Sequence, residues 1–394
     1  MVLVSQQVKD YMEKASWIRK MFEAGSELKN KHGAENVFDF SLGNPDLPPP
    51  EQVKNAMLDL ASSLYRPYSL GYMPNAGLPE FRSQLAAYLS SEQEVDLKAE
   101  DVIITNGAAG GINALFRAIF QAGDQVVCPA PFFVEYGFYA QNFQGRLTPV
   151  KSRSFTFELD LKAIEQAIGP ETRVVLINSP NNPTGRVYTR KELQSLVDII
   201  KRKNKEYGRP IILLSDEPYR FLVFDGVEVP SVMSLYEHSI VVSSFSKSLS
   251  MAGERVGYLA VHPELKGKEE LMNALNLTNR ILGFVNAPVI GQILAEKALN
   301  ISVDVSVYAE RRSAMARVLD EAGINYSMPQ GSFYFFPEAP GGDDQAFVRN
   351  LFNQNVLAVP GTGFGYPGYV RMAFCVSRDI IERSGPALKK AVKA

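Results

Sequence analysis

The 394-residue chain is poor in the residues that announce several common chemistries. It has only two cysteines, Cys128 and Cys375, far apart in sequence. So sparse a pair excludes a disulfide framework and lacks metal-site spacing, which leaves buried thiols as the expectation. The three histidines, His32, His238 and His262, form no ligand or relay pattern. A zinc enzyme or a serine–histidine hydrolase therefore has no support. Neither sign of charge dominates: 41 Lys and Arg stand against 43 Asp and Glu, a formal net charge of -2. No basic field invites nucleic acid, and no polybasic run invites a membrane surface. No window approaches the roughly 18–20 apolar residues that a membrane span needs. Lys9, Asp10, Glu13 and Lys14 interrupt the N-terminal stretch before an apolar signal core can form, so a cytoplasmic protein is the expectation.

What is present fits an ordinary folded protein, with 46% hydrophobic and 21% charged residues. The length suits two or three domains, or one large α/β domain with an appendage. Ser16, Trp17, Ile18, Met21 and Phe22 predict an amphipathic helix that closes near Gly33. FDFSLGNPDLPPP (38–50) reads as a short strand entering a proline-rich loop, after which helical pattern resumes. From about residue 100, short apolar runs alternate with helical stretches. The runs are DVIIT (101–105), DQVVCP (124–129), TRVVLIN (172–178), PIILLSD (210–216), SIVVSSF (239–245) and VGYLAVH (256–262). Nearly all-apolar, β-branched runs fit strands buried on both faces, so the expectation is a mostly parallel sheet covered by helices. The last hundred residues carry an α+β pattern: one long helix over about 288–324, then SFYFFPE, AFVRNLFNQN, VLAVPG and YVRMAFCV.

The chemistry-bearing motifs cluster at the ends of these runs, where open α/β sheets bind ligands. TNGAAGG (105–111) follows DVIIT and opens a helix. Its small residues either let backbone amides approach an anion or merely make a tight turn. NSPNNPTG (178–185) holds polar side chains in a fixed loop, where Asn182 can donate its amide to a ligand oxygen or simply serve a turn. Asp216, in SDEPY (215–219), sits at a strand terminus and needs a cationic partner, unless it is a helix N-cap. In SSFSKSLSMAGERVGY (243–258), Lys247 follows a buried strand among Ser244, Ser246, Ser248 and Ser250. A lysine in such surroundings has a lowered pKa and a neutral amine able to act as nucleophile and base. Arg255, eight residues on, is placed to pair with a phosphate. Arg371, inside the apolar strand YVRMAF (369–374), calls for a carboxylate partner, either from a substrate or from an internal salt bridge.

Taken in order over nearly the whole chain, these motifs resemble the fold-type I pyridoxal phosphate enzymes, and within them the class I/II aminotransferases. The resemblance implies an α/β large domain over residues 50–287 that binds the cofactor. Residues 1–49 and 288–394 would form a smaller α+β domain. Lys247 would hold the cofactor aldehyde as an imine and then move protons, while Asp216 would keep the pyridine nitrogen protonated. Asn182 and Tyr219 would bond the ring 3-oxygen. Ser244 and Arg255, with backbone amides of Gly107, Ala108 and Ala109, would bind the phosphate. Phe133, of APFFVEY, would stack on the ring in a place where many members carry tryptophan. Some members have a hydroxyl residue where Ala109 stands, so the phosphate would lose one side-chain donor here. Arg371, helped by Gly43 and Asn182, would clamp the substrate carboxylate. Tyr72, of YMPNAGLPEFR, resembles the tyrosine that reaches the neighbouring subunit's phosphate, which implies a homodimer with shared sites. Arg280, in LTNRILGFVNAP, stands near the place of the arginine that selects aspartate by its distal carboxylate, but offset in register.

The expected activity is amino-group transfer between an L-amino acid and a 2-oxo acid, of the aspartate/2-oxoglutarate type, in amino acid metabolism. Other readings on the same scaffold are a C–S lyase, a decarboxylase or a synthase. A non-catalytic sensor domain would need a DNA-binding segment and a basic charge, neither of which is evident.

Overall fold

The computed structural model describes residues 3–14, 25 and 27–394. The expected amphipathic helix around Ser16, Trp17, Ile18, Met21 and Phe22 lies outside the described residues. A helix spans Gln6–Lys14 just before it.

The strands, in chain order, are β1 (Phe38–Asp39), β2 (Val102–Thr105), β3 (Gln125–Ala130), β4 (Arg146–Lys151), β5 (Thr172–Asn178), β6 (Ile212–Asp216), β7 (Ser239–Ser244), β8 (Gly257–Val261), β9 (Tyr334–Phe335), β10 (Val356–Leu357), β11 (Val359–Pro360) and β12 (Val370–Ala373). Seven of them form the main sheet, in the order β2-β8-β7-β6-β5-β3-β4. Neighbouring strands run parallel except at β8, which is antiparallel to both β2 and β7. The all-apolar runs are explained by burial on both faces. Ile104, Val127, Val175, Leu213 and Val241 join one core cluster, and their chain neighbours Ile103, Val126, Val174, Leu214 and Val242 join another. β4 went unseen in the sequence because it is an edge strand: of its six residues only Val150 is buried, so no apolar run marks it.

A third cluster gathers Phe40, Tyr308, Met315, Leu319, Phe333, Phe347, Leu351 and Met372. It packs the small antiparallel sheet β11-β12-β9 and the short parallel pair β1-β10 against the C-terminal helices. The long helix expected over 288–324 is instead two helices, Val289–Lys297 and Val305–Ala322. Asp304 stops continuation by capping the second one: its carboxylate accepts from the Ser306 amide at 2.8 Å and the Ser306 hydroxyl at 2.6 Å. Leu294 and Ala295 of the first helix pack with the main-sheet core, so the change of core falls between Ala298 and Val303.

Register lines up the functional side chains. Asn178 pairs with Asp216, and Asp216 with Val242, so the carboxyl ends of β5, β6 and β7 lie side by side. Because β8 runs the other way, its amino end reaches the same edge. Gly257 pairs with both Thr105 and Ser244, which delivers Arg255 beside the start of the helix Gly107–Ile119.

Candidate active site

A cavity of about 380 Å³ opens at this edge of the sheet. Its lining includes Gly43, Ala108, Ala109, Phe133, Asn182, Asp216, Tyr219, Ser244, Lys247, Arg255 and Arg371. Eleven positions named from the sequence are thus brought to one place from seven separate stretches of chain.

Lys247 belongs to the short helix Phe245–Ser248, which starts where β7 ends. Its Nζ donates to the Gly43 carbonyl at 2.6 Å and lies 5.6 Å from the Phe333 ring centre. Burial lowers its pKa from 10.5 to about 8. Cys375 opposes this, and the positive charges of Arg371 and Arg255 each push more weakly in the same direction as burial. About a fifth of the amine is therefore neutral near physiological pH, far more than for a free lysine, and it is this form that serves as nucleophile and proton acceptor.

Asp216 ends β6 and is buried. Burial and the neighbouring Glu217 charge push its pKa from 3.8 up to about 7, against the pull of a hydrogen bond from Tyr136. The Tyr136 hydroxyl donates to Oδ2, while Oδ1 is buried with no partner among the described residues. A buried acceptor left unpaired costs about 1–3 kcal/mol, so the second oxygen calls for a donor from outside the chain. The helix N-cap alternative fails, because no helix begins after Asp216. Asn178 steadies the strand end by donating to the Asp216 carbonyl at 2.8 Å, and its side-chain oxygen accepts from the Asn182 amide at 2.7 Å.

Arg255 holds φ 53° in the left-handed region and donates to the Ala252 carbonyl at 2.9 Å. Its guanidinium lies over Gly107: a Cβ built there would come within 2.9 Å of Nη2, and Gly107 itself has φ +67°. The first-turn amides of the helix Gly107–Ile119 have no intrahelical acceptors, by helix geometry. Together with Arg255 and Ser244 they form an anion cradle.

Arg371, on β12, is buried, and its guanidinium is sandwiched between the rings of Tyr334 and Phe364 at 4.7 and 4.8 Å. It donates to the Ser41 carbonyl at 2.6 Å and to Asn182 Oδ1 at 3.3 Å, while Nε has no partner. Those acceptors are neutral, so the internal salt bridge is not formed among the described residues. Tyr219 and Tyr334 share a hydrogen bond at 3.0 Å, and burial raises the Tyr219 pKa well above 10.

Two named residues stand apart from this cavity. Tyr72 is 96% exposed and Arg280 is also exposed. The stretch after Tyr72 bonds to the loop after Arg280: Asn286 Nδ2 donates to the Pro74 carbonyl at 2.9 Å, and Asn75 Nδ2 to the Val285 carbonyl at 3.0 Å. The sequence reading missed Tyr136, Asn178 and Tyr334. Asn178 carried a usable signal, a polar residue closing an apolar run. Tyr136 lay unremarked in APFFVEY, and nothing local marked Tyr334. Cys128 and Cys375 are both buried and unpaired.

A mostly parallel α/β sheet whose edge gathers a buried lysine, a strand-end aspartate, an anion cradle and a second buried arginine defines an enzyme of the fold-type I pyridoxal phosphate class. More particularly, the chain belongs to the aminotransferase class I and II family, whose model matches residues 35–384, and it is a transaminase. It is 37% identical to an aminotransferase of known structure from Eubacterium rectale, with a TM-score of 0.95 over 100% of this chain and 99% of that one. Aspartate aminotransferase from Thermotoga maritima superposes with a TM-score of 0.88 at 28% identity, over 99% of this chain and 100% of that one. A probable aspartate/prephenate aminotransferase from Aquifex aeolicus is 30% identical over 379 residues, 91% of each chain.

Proposed function

We propose that this transaminase holds pyridoxal phosphate in the cavity and moves an amino group between L-aspartate and 2-oxoglutarate. The observation that carries the cofactor is the partnerless, buried Oδ1 of Asp216 in one cavity with Lys247. A protonated ring nitrogen is the donor that this oxygen lacks, and the anion cradle at Gly107 and Arg255 suits the phosphate. The aspartate reading draws its support from the relatives named above.

When bound, the cofactor supplies an aldehyde that takes up the amine and a ring that accepts the electrons left by the α-proton. Lys247 would hold that aldehyde through Nζ, and its freed amine would move the proton at the substrate α-carbon. Asp216 holds the ring nitrogen protonated, and Tyr136 keeps the carboxylate turned toward it. Asn182 and Tyr219 would bond the ring oxygen, and Phe133 would stack on the ring. Ser244, Arg255 and the amides of Gly107, Ala108 and Ala109 bind the phosphate. Arg371, helped by Gly43 and Asn182, clamps the substrate α-carboxylate by a two-pronged bond.

Exposed Tyr65, Tyr68 and Tyr72 lie along one stretch of surface, which fits a homodimer in which Tyr72 serves the second copy's phosphate site. Arg280 belongs to the same surface and is the candidate reader of a distal carboxylate. No helix of the described residues is long and apolar enough to cross a membrane, and the proposed setting is the cytoplasm.

The test is a panel of amino donors against the cofactor-loaded protein, read by the cofactor's visible absorbance. Aspartate should bleach it while releasing oxaloacetate stoichiometrically, and 2-oxoglutarate should restore it. Release of pyruvate and ammonia without an aminated cofactor would replace transamination by a lyase reaction.

A further inference from the structure

The segment from Phe40 to Asp46 lines the cavity with Leu42 and Gly43, and its bonds follow a pattern. Four successive carbonyls each accept a bond. Phe40 takes the Ala373 amide at 2.8 Å, Ser41 takes Arg371 Nη2 at 2.6 Å, Leu42 takes the Cys375 thiol at 3.4 Å, and Gly43 takes Lys247 Nζ at 2.6 Å. Two of these donors are cations of the cavity. Gly43 leaves no room for a side chain, because a Cβ there would fall 1.8 Å from the Tyr334 hydroxyl oxygen. The segment is therefore seated in close contact with the site.

Its far end is pinned by a single ion pair. Asp46 accepts from Arg311 Nη1 at 2.6 Å and Nη2 at 2.8 Å, a two-pronged arrangement. The Arg311 side chain, on the helix Val305–Ala322, is only 8% exposed, whereas that of Asp46 is 34% exposed. The same guanidinium lies 5.4 Å from the Tyr308 ring centre, Tyr308 packs at 5.8 Å on Phe333, and Phe333 lies beneath Lys247. Arg311 thus touches the surroundings of Lys247 from two sides, through the segment and through two rings.

We propose that Arg311 and Asp46 are positioning residues for the reaction: they hold residues 40–46 as a strap whose Ser41 and Gly43 carbonyls aim Arg371 and Lys247 into the cavity. The proposal rests on the reading of Arg371 as the carboxylate clamp. Ser41 occupies one Nη of Arg371 and so sets the rotation of the guanidinium plane. A fork that is free to turn loses the in-plane geometry on which two-pronged binding depends. Lysine at position 311 keeps the charge but cannot make the paired bonds that fix the strap.

The experiment uses the full-length, cofactor-loaded protein with Arg311→Lys and, separately, Asp46→Asn. The KM for the amino donor should rise about tenfold, the equivalent of one 1.4 kcal/mol step. The kcat should also fall, because Gly43 positions Lys247, but by a smaller factor, so that most of the loss in kcat/KM is carried by KM. Amide hydrogen exchange should quicken across residues 40–47 and stay unchanged in β12. The charge swap Asp46→Arg with Arg311→Asp should recover part of both effects. Unchanged KM together with unchanged exchange would overturn the proposal, and so would a lowered Tm with KM intact. If the parent protein transaminates no donor, the functional reading fails by itself. The exchange measurement then still decides the strap: quickening confined to 40–47 supports it, and none refutes it.

Discussion

The two ends of the cavity are built differently. The end around Asp216 is made by neighbouring strands of one sheet and a helix packed on it: Asn178, on the adjacent strand, bonds it from 38 positions away in sequence, and Tyr136, on the helix Glu135–Gln141, from 80. Its geometry follows from strand register, and the strands are buried on both faces. The end around Arg371 is assembled from distant pieces. Ser41 lies 330 positions away and Asn182 lies 189 away, while the two flanking rings come from β9 and from the turn after β11. Strand register fixes a side chain to a fraction of an ångström, whereas a loop held by hydrogen bonds and one ion pair can adjust. The contrast suggests a division of labour in which the sheet holds what stays bound and the strap side meets what is exchanged at each turnover.

The predictions follow that division. Lys247→Ala removes the nucleophile and proton carrier that lies between the two ends, and transamination should fall about 10⁴-fold or more in single-turnover assays. Substantial turnover in this variant would break the comparison altogether. Arg371→Lys should lower kcat/KM about 100-fold, mainly through KM, while the cofactor stays bound. A fall carried by kcat alone would place Arg371 at the wrong end. Tyr136→Phe should act on kcat, by about tenfold, the scale of a hydrogen bond to a charged group. It also has a pH signature. The Tyr136 bond lowers the Asp216 pKa, so its loss should raise that pKa above about 7 and move the acid limb of the pH–rate profile to higher pH. An acid limb that stays in place, or moves down, would separate Tyr136 from the tuning of Asp216. The smallest effect is expected for Tyr72→Phe, a loss of cofactor retention of tenfold or less with the oligomer intact. Equilibrium dialysis beside sedimentation would measure both, and unchanged retention would remove Tyr72 from the shared site.

Much of this molecule is legible in its sequence. Five of the six apolar runs named strands whose burial followed from their composition, because burial on both faces leaves little room for polar residues. The sixth, VGYLAVH, was legible as a strand but not as the antiparallel member, since direction is set by pairing partners and not by the run itself. β4 was hidden by its exposed edge. The break between Lys297 and Val305 was hidden because a capping aspartate followed by serine is easily read through when apolar periodicity continues on both sides.

What the sequence determined alone was the chemistry. A lysine among serines, an aspartate and an asparagine loop at strand ends, and two arginines in a fixed order specify which functional groups are available, since side-chain identity is covalent and local. What only the tertiary structure decided was where those groups point. The reversal of β8 carries Arg255 to the edge where the parallel strands end, Tyr136 meets Asp216 across the core, and the strap from Phe40 to Asp46 ties Lys247 and Arg371 together. Each of these rests on contacts between residues far apart in sequence, and such contacts form only when the whole core closes.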